Sequence, residues 1–215
     1  MDSENSTTKP DLKDFRVDSE YWDSQAWEVA ARANVPRRYL GKGFLQYNAE
    51  TKAHQLALAT CKAISEDPRS AAMVLLFGPP GTGKTHLACA TLWARFRASS
   101  KATGEYATAT GIGQEVRASY DSKDTTEREV IDRLVSVGLL VVDEIGAGLG
   151  TDHERAMLNA VICGRYDKMK PTILISNLDM AGLRIAAGER ILDRIKEDAG
   201  SAIVPMNWPS WRGKK

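Results

Sequence analysis

Short apolar runs recur along this chain, each separated from the next by enough residues for a helix. AAMVLLF (71–77), VGLLVVD (137–143) and PTILIS (171–176) are apolar at successive rather than alternate positions, as in strands covered on both faces. EYATAT (105–110) and AIVPM (202–206) are shorter strand candidates. Helices are predicted between them: THLACATLWARFRASS after the first strand, GQEVRASY and TEREVIDRLVS after the second, and HERAMLNAVICGRYDKM after the third. Two short helices, around MAGLRIAAG and RILDRIKED, precede the last strand. Upstream, AETKAHQLALATCKAISED (49–67) predicts a helix, and SEYWDSQAWEVAARAN (19–34) a shorter one ended by Pro36. VPRRYLGKGFLQYN, between those two, reads as irregular. Strands alternating with helices imply an α/β fold, with a parallel five-stranded sheet between helices.

Composition narrows the organisation. At 215 residues, with 43% hydrophobic and 27% charged residues, the chain suits one well-packed soluble domain and a small appendage. Residues 1–18 are polar and without periodicity, and read as disordered. The expected division is therefore 1–34, an acidic, partly disordered segment with one helix, and 35–215, the folded domain. Within residues 1–28, eight acids against three bases give −5, which leaves +6 for the remainder of a chain whose net charge is +1. A mildly basic body is compatible with a phosphate-rich ligand. No apolar run approaches the roughly eighteen residues that span a bilayer, and MDSENSTTKPDLKDF is unlike a signal peptide. The expectation is a cytoplasmic protein without a membrane partner. Cys61, Cys89 and Cys163 are widely spaced and form no CxxC pair, so they read as small core side chains.

The chemistry begins at GPPGTGKT, which fits the phosphate-loop pattern between an apolar strand and a helix. Its glycines let backbone N–H groups turn toward phosphate oxygens, and the following helix adds its positive dipole end. Gly78, Pro79, Pro80, Gly81, Thr82, Gly83, Lys84 and Thr85, with His86 beside them, are the candidate nucleotide-binding residues. Lys84 offers a cation to the β- and γ-phosphates, and Thr85 a hydroxyl to Mg²⁺. LLVVDEIG ends a strand on two acids: Asp143 is placed toward the metal, and Glu144 to polarise an attacking water. Asn177, at the end of PTILISN, reaches the sheet edge where ligands bind, although an Asn after a strand also simply makes turns.

These motifs, together with VPRRYLGKGFLQYN, GRYDKMKPTILISNLD, GERILDR and the closing WPSWR, resemble the DnaC/IstB group of AAA+ ATPases over roughly residues 35–212. The resemblance implies an AAA+ P-loop core without a C-terminal helical lid, with ATP and Mg²⁺ as cofactors. It makes Lys84 and Thr85 the Walker A pair, Asp143 and Glu144 the Walker B pair, and Asn177 the sensor I residue. Arg194 matches the arginine finger that one subunit inserts into its neighbour's site, and Arg212 a sensor II-like arginine. Arg190 is undecided: taken by periodicity, Arg190, Asp193, Arg194 and Glu197 also read as ion pairs on an exposed helix.

The function implied is an oligomerising ATPase that binds single-stranded DNA and delivers a replicative helicase. By the same resemblance, either the helix within residues 1–34 docks the helicase or the partner differs from the usual one. So short a segment fits a phage or prophage source, hence a bacterial host cytoplasm. Two alternatives stay open: a transposition helper of the IstB type, and a nucleotide-gated adaptor with negligible hydrolysis. Arg117 and Lys123, after the second strand, are the DNA-contact candidates, against the plain reading of a charged helix exterior.

Overall fold

The computed structural model describes residues 24–67, 69–122, 124–147, 152–197 and 200–212. Five strands form one sheet: β1 (Met73–Phe77), β2 (Gly104–Thr108), β3 (Leu139–Asp143), β4 (Thr172–Ser176) and β5 (Ala202–Pro205). Their order is β2-β3-β4-β1-β5, and every neighbouring pair is parallel. Helices α1 (Ser24–Arg32), α2 (Lys52–Glu66) and α3 (Lys84–Ala98) pack on one face. The other face carries α4 (Ala109–Tyr120), α5 (Glu127–Ser136), α6 (Asp152–Asp167), α7 (Met180–Ala187) and α8 (Glu189–Glu197).

Because side chains alternate across a strand, each strand serves two cores. Val74, Leu76, Val141, Ile173 and Ile175 meet α1–α3. Met73, Leu75, Leu140, Val142 and Leu174 meet the second helical layer. This division accounts for the unbroken apolar runs. It also aligns the strand ends: Phe77 lies opposite Ser176, and Thr108 opposite Asp143. The loops that follow β1, β3 and β4 therefore open at one edge of the sheet.

Several boundaries differ from the sequence expectation, each for a local reason. The second strand stops at Thr108, whose hydroxyl accepts from the Gly111 amide and caps α4. Ala109 and Thr110 are thus the first turn of a helix and not the end of a strand. The N-terminal helix ends at Arg32, and Asn34 turns the chain with φ of 59° before Pro36 is reached. The part of that expected segment before residue 24 lies outside the described residues. VPRRYLGKGFLQYN contains two single 3₁₀ turns, Arg37–Tyr39 and Phe44–Gln46.

The least expected core residue is Arg165 on α6, which is 0% exposed. Its guanidinium donates to the carbonyls of Leu134 (2.7 Å), Val135 (3.3 Å), Val137 (3.0 Å) and Pro171 (2.6 Å), and to Thr172 Oγ1 (2.8 Å). One side chain thereby satisfies the C-terminal carbonyls of α5 and joins them to the start of β4. Burial pushes its pKa down to about 9. Among the described residues, no helix follows α8, and none is long and apolar enough to cross a membrane.

Candidate functional site

The phosphate loop occupies the turn from β1 to α3. Gly78, Gly81 and Gly83 have φ of 130°, 82° and 95°, a region that L side chains rarely adopt. Space enforces the same choice at Gly81, where a Cβ would lie 1.9 Å from Ser210 Oγ. Lys84 opens α3 and is 4% exposed. Its Nζ donates to the carbonyls of Gly78 and Pro79, both at 2.7 Å, and to Thr82 Oγ1 at 3.3 Å. Burial drives the amine down to about 8; Asp143 nearby opposes that shift, and Arg212 adds to it. An anion placed on this loop would favour the charged amine.

One residue further, Thr85 Oγ1 donates to Asp143 Oδ2 at 2.8 Å, which joins the loop to the end of β3. The same carboxylate oxygen accepts from Tyr106 Oη at 2.9 Å, and Oδ1 accepts from the Glu144 amide at 2.7 Å. Glu144 stands in a left-handed conformation, φ 61°, with its side chain exposed toward the pocket. Two bonds hold that turn beside β4: Ile145 N–H to Ile175 O at 2.9 Å, and Ser176 Oγ to Ile145 O at 2.7 Å. Asn177 follows Ser176 directly and is thereby carried to the same mouth.

Lys84, Thr85, Asp143, Glu144 and Asn177 line one open pocket of about 260 Å³, together with Pro80, Gly81 and Gly83. Tyr39, Trp211 and Arg212 complete its wall. The C-terminal segment reaches it as a strap along the loop. Met206 N–H donates to Phe77 O at 2.7 Å, Trp211 N–H to Gly81 O at 2.9 Å, and Trp208 Nε1–H to Thr82 O at 2.9 Å. Trp208 also packs on His54, with ring centroids 4.3 Å apart.

Other sequence candidates stand elsewhere. His86 does not line the pocket: Nε2 lies 3.0 Å from Gly43 O, and the ring packs beside Tyr39 and Tyr47. Burial lowers its pKa, so the neutral ring donates to that carbonyl and braces the segment that carries Tyr39. Arg190 and Arg194, on α8, do not line the pocket. Arg190 is exposed. The Arg194 side chain is 16% exposed, with its guanidinium 5.0 Å over the Tyr166 ring and 4.0 Å from Asp167 Oδ1. Its Nε is buried without a hydrogen-bond partner among the described residues. Arg117 is ion-paired with Glu154, a 7% exposed acid on α6. Lys123 lies outside the described residues.

Nothing in the sequence pattern marks Tyr39, Tyr106 or Trp211 as site residues. Trp211 adjoins Arg212 in WPSWR, and Tyr39 lies in VPRRYLGKGFLQYN, where no spacing of residues marks a chemical role. Tyr106 is one aromatic in an unremarkable strand, and only the register of β2 on β3 brings it to Asp143.

Comparison with known proteins adds an independent view. Residues 33–215 match the family described as IstB-like ATP binding protein. The chain is 27% identical over 188 residues to the replicative helicase loader DnaC of Buchnera aphidicola subsp. Baizongia pistaciae, covering 86% of this chain and 75% of that protein. It is 32% identical over 186 residues to the uncharacterized protein YdaV of Escherichia coli K12, covering 86% and 73% respectively. Among solved structures, a crystal structure of the DnaC helicase loader superposes with a TM-score of 0.68 at 23% identity, covering 79% of this chain and 99% of that one. The structural likeness extends to the fold.

Proposed function

Since this chain belongs to the family of IstB-like ATP-binding proteins, we propose that it hydrolyses ATP with Mg²⁺ and loads a replicative helicase in the bacterial cytoplasm. One observation carries the hydrolytic part. Lys84, Thr85, Asp143, Glu144, Asn177 and Arg212 come from four separate regions of the chain and converge on one pocket. The helicase part rests on relatives that are named replicative helicase loaders and that align with most of this chain.

Each residue has work suited to its position. Amides of the phosphate loop and the N-terminus of α3 take the phosphate oxygens, and Lys84 and Arg212 supply cations beside them. Thr85 Oγ1 and the Asp143 carboxylate present hard oxygen donors 2.8 Å apart, a set that suits magnesium. Held there, Mg²⁺ would neutralise charge on the β- and γ-phosphates. Glu144 takes the proton of the attacking water, and Asn177 orients that water or the γ-phosphate.

Self-assembly belongs to the same proposal. Arg194 supplies the guanidinium for a neighbour's γ-phosphate by leaving the Tyr166 ring, while Arg190 either contacts that nucleotide or supports the helix. Hydrolysis would then depend on assembly. Single-stranded DNA is the proposed nucleic-acid partner. Arg117 serves it by exchanging Glu154 for a phosphate, and Lys123 is the second candidate.

The test is a Glu144→Gln variant of the full chain. ATP turnover should fall at least about a hundredfold, as on loss of a positioned general base, while ATP still binds. Undiminished turnover would remove Glu144 from the chemistry. Absence of turnover in the wild type, alone and with helicase and DNA, would leave a nucleotide-gated adaptor.

A further inference from the structure

Tyr106 makes two contacts that point in different directions. Its side chain reaches inward from the edge strand β2, and Oη donates to Asp143 Oδ2 at 2.9 Å. That oxygen is the one that also accepts from Thr85 Oγ1. Its backbone N–H points outward from the sheet and donates to Ala33 O at 2.8 Å, just beyond the last turn of α1. Between the two bonds lies a single residue, Tyr106 itself. Ala30 and Ala33 are buried in the core layer against which the Tyr106 ring packs, and the strand is registered on β3 from Gly104 to Thr108.

Asp143 is 5% exposed and takes hydrogen bonds from Thr85, Tyr106 and the Glu144 amide. Of these donors, only Tyr106 belongs neither to the phosphate loop nor to β3 and the turn that follows it directly. Removing its hydroxyl takes away one of the two donors on Oδ2, while Thr85 and the Glu144 amide stay in place. Conversely, moving the end of α1 pulls on β2 at the residue that holds the carboxylate.

We propose that Tyr106 is a positioning residue that ties the metal-holding carboxylate of Asp143 to the end of α1, so that divalent-cation affinity at the nucleotide site and the order of the N-terminal helix are coupled. This rests on the nucleotide reading above. It assigns a consequence to whatever partner docks on the N-terminal segment: that partner changes the site's demand for Mg²⁺. By reciprocity, Mg²⁺ and nucleotide together change the order of α1.

The experiment compares full-length wild type and Tyr106→Phe, using a fluorescent ADP analogue as probe. ADP affinity in EDTA should agree within about twofold, since no phosphate contact is altered. The Mg²⁺ concentration that gives half-maximal tightening should rise roughly three- to tenfold in the variant, as on loss of one ordinary hydrogen bond. Hydrogen exchange over residues 24–35 should slow when Mg²⁺ and ADP are added to the wild type, and this slowing should be lost in Tyr106→Phe. Equal Mg²⁺ requirements in the two proteins would overturn the positioning role. Exchange in α1 that ignores Mg²⁺ and ADP in the wild type would overturn the coupling, and needs no variant to establish. Failure of the wild type to bind ADP at all, with or without Mg²⁺, would instead overturn the nucleotide reading.

Discussion

Replacing Trp208 with phenylalanine asks whether the C-terminal strap shapes the phosphate loop for nucleotide. The indole Nε1–H donates to the Thr82 carbonyl at 2.9 Å, and Thr82 is fully buried. Phenylalanine keeps a ring against His54 but deletes the donor. A buried acceptor left without a partner costs about 1–3 kcal/mol. Two anchors remain, at Phe77 O and Gly81 O, so the strap loosens without detaching. The free protein relaxes the loop to give that carbonyl another partner, and nucleotide must restore the loop on binding. The cost then appears as affinity, about fivefold at 1 kcal/mol and about thirtyfold at 2 kcal/mol. Fluorescent ADP titration at fixed Mg²⁺, alongside a thermal melt, separates the two places where the energy can go. A lower melting temperature with unchanged ADP affinity would show that Trp208 only packs the core, and would refute the loop-shaping role.

Three further outcomes follow from the same geometry. Burial holds the Lys84 amine at about 8 and bound phosphate raises it, so binding takes up a proton above that value. ADP affinity in EDTA should be level below about pH 8 and fall toward tenfold per unit above it; a level profile through about pH 9 would contradict this. Arg165→Met leaves several buried carbonyls without their donor and should destabilise the fold by at least about 3 kcal/mol in urea unfolding; a loss under about 1 kcal/mol would show that those carbonyls find other partners. Arg194→Ala should bind ATP but not hydrolyse it, and mixing with Lys84→Ala should restore part of the turnover. Mixtures that stay inactive would rule out an arginine supplied between subunits.

Much of the architecture was legible because burial on both faces leaves a plain signature. The runs at 71–77, 137–143 and 171–176 contain β1, β3 and β4, each apolar because alternate residues serve different helical layers. The phosphate loop and the Asp143–Glu144 pair were legible for a related reason: their chemistry is local in sequence and terminates a strand. The illegible parts depend on contacts between distant segments. A tyrosine in EYATAT reveals nothing of Asp143 until strand register is known. Arg165 looks like any helical surface cation in GRYDK, yet its helix turns it onto the end of α5. His86 follows the phosphate loop directly, but the helical twist carries it to Gly43. The start of α4 is hidden in the sequence because Thr108 is a good strand residue and also a good cap.

The central claim joins a nucleotide pocket to the loading of a helicase, and one measurement addresses both halves. Full-length protein and Lys84→Ala are each mixed with the replicative hexameric helicase of the native cell, with and without ATP, and the complexes are weighed by native mass spectrometry. The account predicts several copies of this chain on one helicase hexamer, with ATP changing the number bound for the wild type and not for Lys84→Ala. Absence of any complex with the helicase, alongside a stable one with a transposase, would contradict it.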